Sequence, residues 1–439
     1  MPIPRSVHVL SLIALLTILG SCASLPEEDI ASGEPFPDAA VLFLGRDGDY
    51  RLAADPFDER GESGEGPRVQ RLVSEPVGGR GIVSSSVASW SPSGAQVAVA
   101  LQLEPQRNAA RQVIALVTPD TGRMRIVWEE ERLVPFVLGW SPDGRQLAVL
   151  ATGSEPGLSL ELVDLEGAGR GSRQQLARTA PIYFDWSSDS ENLIVSNGGR
   201  VVSYGIDGSD ARPLSPGGGN FRAPDAGPGG DGTLLVERRG SDQRIIEMDG
   251  AGRRLPHLSA PAGAAFSWSP VGRYMAALRF TGQGLLGVLS VVDTGSVARQ
   301  ISWTPVQDGG ERRLVNSPAF AMEWAPDGDA LLILAPDFGG DQSYAAIWQW
   351  AEPEPSGAWR LRELTRFQPD PAWIASRLPF FDQFTRVGSR IAPDSSAFVY
   401  GREEAGNGGR SEVLAYRLSD GSERRIGPGS LPTWRPGIR

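Results

Sequence analysis

Side chains able to bond covalently, hold a metal or shuttle protons are scarce in this chain. Its 439 residues include one cysteine, Cys22, and two histidines, of which only His257 lies beyond the N-terminal stretch. One cysteine permits neither an intramolecular disulfide nor a cysteine metal cluster. One histidine cannot build a histidine metal site, and His257 sits in RRLPHLSA, which reads as an outer strand. A serine triad needs a histidine aligned by a carboxylate beside a nucleophile, and no GxSxG elbow occurs. The 53 acidic residues guarantee many carboxylate pairs, yet no spacing marks one pair as a general acid and base. Asp143, Asp207, Asp249, Asp327 and Asp420 each stand at or beside a turn glycine without the alternating-acid spacing of a calcium loop. The glycine runs at 216–220 and 227–232 lack the lysine and the strand-to-helix transition of a phosphate loop. No catalytic residue, metal site or cofactor site is therefore expected.

Cys22 fits a different chemistry. It follows Arg5, an apolar stretch from Val7 to Leu19, and the small residues Gly20 and Ser21. The apolar stretch is too short to span a bilayer and has the length of a signal-peptide core. The segment Leu19-Gly20-Ser21-Cys22 resembles the bacterial lipoprotein signal. That resemblance implies removal of residues 1–21 and a diacylglyceryl thioether on Cys22, anchoring the protein to a membrane outside the cytoplasm. The familiar sorting rule implies the outer membrane in a Gram-negative cell, because residue 23 is Ala and not Asp. Residues 22–40 are acidic, proline-bearing and aperiodic, and read as a flexible tether with a reach of about 25 Å.

One more cluster stands out. The segment FQPDPAWIASRLPFFDQFTR (367–386) gathers Trp373, Phe380, Phe381 and Phe384 in an irregular insert. Aromatics on such a loop suit a protein interface, and the competing reading is that the insert folds over the body and buries them.

The elements that must carry these residues repeat. Apolar residues, Trp, a Ser-Pro-Asp-Gly turn and a second apolar run recur around Trp90, Trp140, Trp186, Trp268 and Trp324. Weaker copies lie near Asp231 and Pro393, and a truncated one around Trp434. Proline presets the turn, Asp or Ser caps it and Gly accepts the left-handed backbone, so each copy predicts an antiparallel hairpin. Runs such as Gln146–Leu150 are apolar at consecutive positions, the mark of a strand covered on both faces. A second turn signal (PDTG, DLEG, IDG, MDG, VDTG, SDG) follows each motif, giving four strands per unit. Four-stranded units in series predict an all-β fold, a single β-propeller over 41–439. The repeat resembles the WSPDG-type propeller of the TolB-like group, which is similar to the propellers of prolyl oligopeptidase-type enzymes. Counting unit starts gives eight blades, with seven as the alternative. The N-terminal strands 41–45, 50–55 and 69–74 lack a Trp strand, so the strand around Trp434 is expected to complete their blade and close the ring. On this reading the regular tryptophans are packing residues.

Composition agrees. Glycine (54) and proline (35) are abundant, as many tight turns require. A net charge of −11, with arginine supplying every basic side chain except the histidines, argues against nucleic acid as a partner. The expected function is a lipid-anchored envelope propeller that binds a protein partner without catalysis. The alternative is a propeller enzyme, or a carbohydrate or small-ligand binder, with its site in the central channel. Acidic or amide side chains converging around an ion at the channel mouth would favour the alternative.

Overall fold

The computed structural model describes residues 40–57, 67–74, 76–106, 109–166, 172–197, 199–207, 211–215, 223–230, 232–239, 242–249, 253–261, 264–280, 287–293, 318–338, 346–355, 359–404 and 409–437. Cys22, the signal segment and nearly all of the tether lie outside the described residues.

Each motif folds by its own turn chemistry. In Ser141-Pro142-Asp143-Gly144 the Gly144 amide donates to Ser141 O (2.9 Å), with Gly144 at φ +75°. The Ser141 hydroxyl accepts from Gln146 N (2.9 Å) and donates to Asp143 Oδ1 (2.6 Å). Asp143 Oδ1 also accepts from Arg145 N (3.1 Å), and the acids of the 189, 327 and 394 turns accept the amide two residues on in the same way. In the degenerate copies Ser190 and Ser395 take the glycine position at φ 66° and 57°. The turn aspartates are thus occupied as turn acceptors.

The motif tryptophans stitch neighbouring units together. Trp140 Nε1 donates to Ser89 O (3.3 Å), Trp186 Nε1 to Gly139 O (3.1 Å) and Trp324 Nε1 to Ser267 O (3.2 Å). In each case the acceptor is the residue just before the tryptophan of the preceding unit. At these three positions indole supplies both interblade packing area and a hydrogen bond that fixes one blade against the next, whereas Trp90 and Trp268 Nε1 are buried without an acceptor among the described residues.

Among the described residues these hairpins assemble six antiparallel four-stranded blades in a propeller ring. Their first strands are Ile82–Trp90, Leu133–Trp140, Tyr183–Trp186, Asp225–Ala226, Ala264–Trp268 and Ala321–Trp324. The second strands, such as Val97–Gln106 and Gln146–Gly153, bury consecutive residues because blades cover both of their faces. The core accordingly lies between blades: Ala98, Ile114 and Leu116 of one pack on Leu138, Leu147 and Val149 of the next. His257 lies in Arg254–Pro261, the edge strand of its blade, as expected.

The expected count of eight separate blades, with seven as alternative, is corrected to six among the described residues. The remaining six strands form one continuous sheet in the order Ala397–Glu403, Ser411–Arg417, Glu423–Trp434, Val41–Gly45, Tyr50–Ala53, Val69–Arg71. The physical reason is one unbroken strand. Glu423–Trp434 pairs Ser411–Arg417 through Glu423–Pro428 and Val41–Gly45 through Gly429–Trp434, so two units share it instead of ending and restarting. The unit near Pro393 also lacks a full first strand, which is reduced to the bridge Ile391–Phe398. The expected closure is present: Val41 pairs Trp434 and Leu42 pairs Thr433, joining the first strand of the chain to the last.

Candidate functional site: a channel filled by the chain itself

First strands of adjacent blades lie side by side and line a central channel. Ile82–Trp90 contacts Leu133–Trp140, and Asp225–Ala226 contacts both Tyr183–Trp186 and Ala264–Trp268. The tryptophan of each first strand turns to the neighbouring blade, so the residue before it turns the other way, toward the channel. Those residues read Ser89, Gly139, Asp185, Asp225, Ser267 and Glu323, with Ala226 in the place of the missing tryptophan. Three channel positions are therefore acidic.

The insert fills this channel. Asp370 starts it: Oδ1 accepts from Ala372 N (3.0 Å) and from the Ser411 hydroxyl (2.8 Å), and Pro371 opens the helix α1, Pro371–Ser376. Burial pushes the Asp370 carboxyl up, against the pull of those hydrogen bonds. A 3₁₀ turn, Leu378–Phe380, leads to α2, Phe381–Phe384, which lies against three first strands, Tyr183–Trp186, Ala264–Trp268 and Ala321–Trp324. Gln383 clamps the backbone of Phe184, accepting its amide (2.9 Å) and donating to its carbonyl (3.1 Å). Asp382 accepts from Ala223 N (3.2 Å).

The next five residues address the channel positions in turn. Arg386 pairs with Asp185 (3.3 Å) and Asp225 (2.7 Å) and donates to Phe266 O (3.2 Å). Val387 lies against Gly139, where an added methyl would crowd it and collide with the Phe184 ring. Gly388 lies against Thr433, the residue before Trp434. Ser389 donates to Glu323 (2.7 Å), and Arg390 gives Glu323 both its amide (2.8 Å) and its Nε (3.0 Å). Trp434 N donates to Ser389 O (2.8 Å), tying the plug to the closing strand.

Charge explains the protonation of this cluster. Burial pushes the Asp185 carboxyl up to about 6; Arg386 opposes the shift and Asp225 adds to it. One guanidinium neutralises two carboxylates only once, and the second negative charge is largely withdrawn from the water that would disperse it. Arg386 stays firmly charged despite burial, because Asp225 and Asp185 outweigh the loss of water.

The four aromatics proposed from sequence do not share one fate. Phe381 is buried in the core and Trp373 packs part-buried on the same cluster, with Arg390 5.3 Å from its ring. Phe384 is part-buried, and Arg377 lies 3.8 Å above its ring. Phe380 keeps 39% of its surface exposed, its ring 6.2 Å from Tyr183. The competing reading, that the insert buries its aromatics, describes Phe381 fully and Trp373 and Phe384 in part. Sequence reasoning missed Gln383, Arg386, Arg390 and their acidic partners. The available signal was the acid before the motif tryptophan in FDW and MEW, where other copies carry Ser, Gly or Thr.

No family model matches the chain, and no curated protein matches it. Several solved structures do. Porphyromonas gingivalis dipeptidyl peptidase 4 is similar at a TM-score of 0.55 and 10% identity, covering 90% of this chain and 59% of that one. A eukaryotic initiation factor gives a TM-score of 0.52 at 11% identity, covering 91% and 98%. TolB from Acinetobacter baumannii gives 0.37 at 13% identity, covering 76% and 81%. At these identities the first two support the fold and nothing finer. Among the described residues, no group of three or more His, Cys, Asp or Glu side chains is placed to hold a metal ion.

Proposed function

We propose that the chain is a TolB-like, lipid-anchored propeller of the cell envelope, held outside the cytoplasm through Cys22, that acts as a non-catalytic protein-binding scaffold. The observation that carries this reading is the filled channel. Acidic side chains do converge there, but around the guanidinium groups of Arg386 and Arg390, which the chain itself supplies. Glu323 is paired with Arg390, and Asp185 and Asp225 share Arg386, so these acids hold the plug in place.

The proposed partner surface is the face of the ring opposite the Ser-Pro-Asp-Gly turns. First strands begin on that face, and second strands return to it from the turn face. Val83 and Val134 near the starts of first strands, Phe338 after a second strand, and Phe380 on the plug are all exposed there. Four of the six large apolar side chains exposed among the described residues are on this face, with Val271 on the turn face and Leu361 on an outer strand, and such side chains suit a protein interface.

The test is affinity capture of the intact lipoprotein from its native envelope, beside Phe380→Ser with Val134→Ser, and beside Cys22→Ser. The expected result is a specific envelope protein captured by the intact chain and lost with the double substitution. Cys22→Ser is expected to leave the membrane fraction. Undiminished capture by the double variant would move the interface off this face, and membrane retention of Cys22→Ser would refute the anchor.

A further inference from the structure

A cavity of about 80 Å³ lies between the plug and the channel wall. Its walls are mainly apolar and aromatic, and include Tyr50, Leu138, Trp348, Trp373, Phe381 and Phe384. Three charged side chains reach it: Glu323, Arg377 and Arg390. Glu323 and Arg390 neutralise each other at 3.0 Å. Arg377 is different. Among the described residues no carboxylate pairs with it; its partners are the Tyr50 hydroxyl and the face of the Phe384 ring. The cavity therefore carries one net positive charge. Burial lowers the affinity of Arg377 for its proton, and Tyr50 offsets that only in part.

We propose that this cavity is a binding site for a small monocarboxylate with a short apolar body, its carboxylate held by Arg377 and Tyr50. Three features select that class. The single uncompensated charge matches a monoanion, whereas a phosphate dianion would bury a second charge without a partner. The planar guanidinium fork matches the two oxygens of a carboxylate. The Tyr50 oxygen already accepts from Ala88 N and from Arg377, which leaves its O–H to donate to the ligand. Size limits the apolar part. A cavity of about 150 Å³ accommodates benzene, so roughly half that volume suits a ligand of about four heavy atoms, a carboxylate bearing a single methyl. The proposal is independent of which protein docks on the outer face.

The test uses the full chain in detergent and acetate as the probe, followed by saturation-transfer NMR and by the shift in melting temperature. Acetate is expected to bind saturably and to raise the melting temperature. Neutral acetamide is expected to compete at least about tenfold more weakly, the loss of one charge-assisted hydrogen-bonded pair. Arg377→Gln is expected to lose at least about tenfold in acetate affinity. Arg377→Lys keeps the charge without the fork, so its binding is expected to be weakened but retained; it decides the matter if Arg377→Gln does not fold. No saturable acetate binding, equal binding of acetamide, or full affinity in a folded Arg377→Gln or Arg377→Lys protein would overturn the proposal.

Discussion

Asp185 shows how one residue links the channel to the stability of the whole protein. Its carboxyl is pushed from 3.8 to about 6, so between those values the folded state holds a proton that the unfolded state has released. Stability from this group is present below about pH 4 and is lost as pH rises through about 6. Asp185→Asn cannot ionise. Denaturant titrations of the wild type and Asp185→Asn across pH 4 to 7 are expected to differ in slope, with the wild type losing more stability as pH rises. Equal slopes would mean that Asp185 ionises freely in the fold. The residue before the motif tryptophan also marks the limit of what the sequence could disclose. The Asp in FDW and the Glu in MEW were visible, as was every arginine of the insert. Their pairing spans 201 residues from Asp185 to Arg386 and depends on ring geometry that no local pattern encodes.

At the scale of the element, the Trp–Ser–Pro–Asp–Gly hairpin was legible because its information is local. A serine hydroxyl, an aspartate and a left-handed glycine fix the turn within six residues, and Gly144 at φ +75° is the conformation that spacing predicts. Less visible was the second task of the tryptophan, donation to the preceding blade. Trp186→Phe keeps an aromatic ring and removes Nε1, leaving Gly139 O without that donor. The expected cost is about 1–3 kcal/mol, read as a lower denaturant midpoint at unchanged slope. A cost near zero would reduce the indole to packing alone. The blade count failed for a related reason. Turn signals separate units in sequence, but Glu423–Trp434 runs through two sheet neighbourhoods without a break, and the motif near Pro393 retains its turn while its first strand is reduced to one bridge.

At the scale of the whole molecule, two devices remove the weak points of a ring. Pairing of Val41–Gly45 with Gly429–Trp434 closes the seam, and without it both strands would expose open edges. Deleting residues 428–439 is therefore expected to abolish the cooperative melting transition or leave an aggregated protein; an unchanged transition would refute the closure. The second device is the plug, residues 370–390, which exchanges water in the channel for Gln383, Arg386, Val387 and Arg390. The proposed scaffold role requires the plug to stay in place, so its stability is the central claim. Native-state amide hydrogen exchange over residues 371–390, compared with first strands such as Leu133–Trp140, tests it directly. The expected result is plug protection close to that of those strands, collapsing selectively in Arg386→Met, where Asp185 and Asp225 lose their shared cation. Exchange of 371–390 as fast as the surface turns in the wild type would show an open channel and contradict the account.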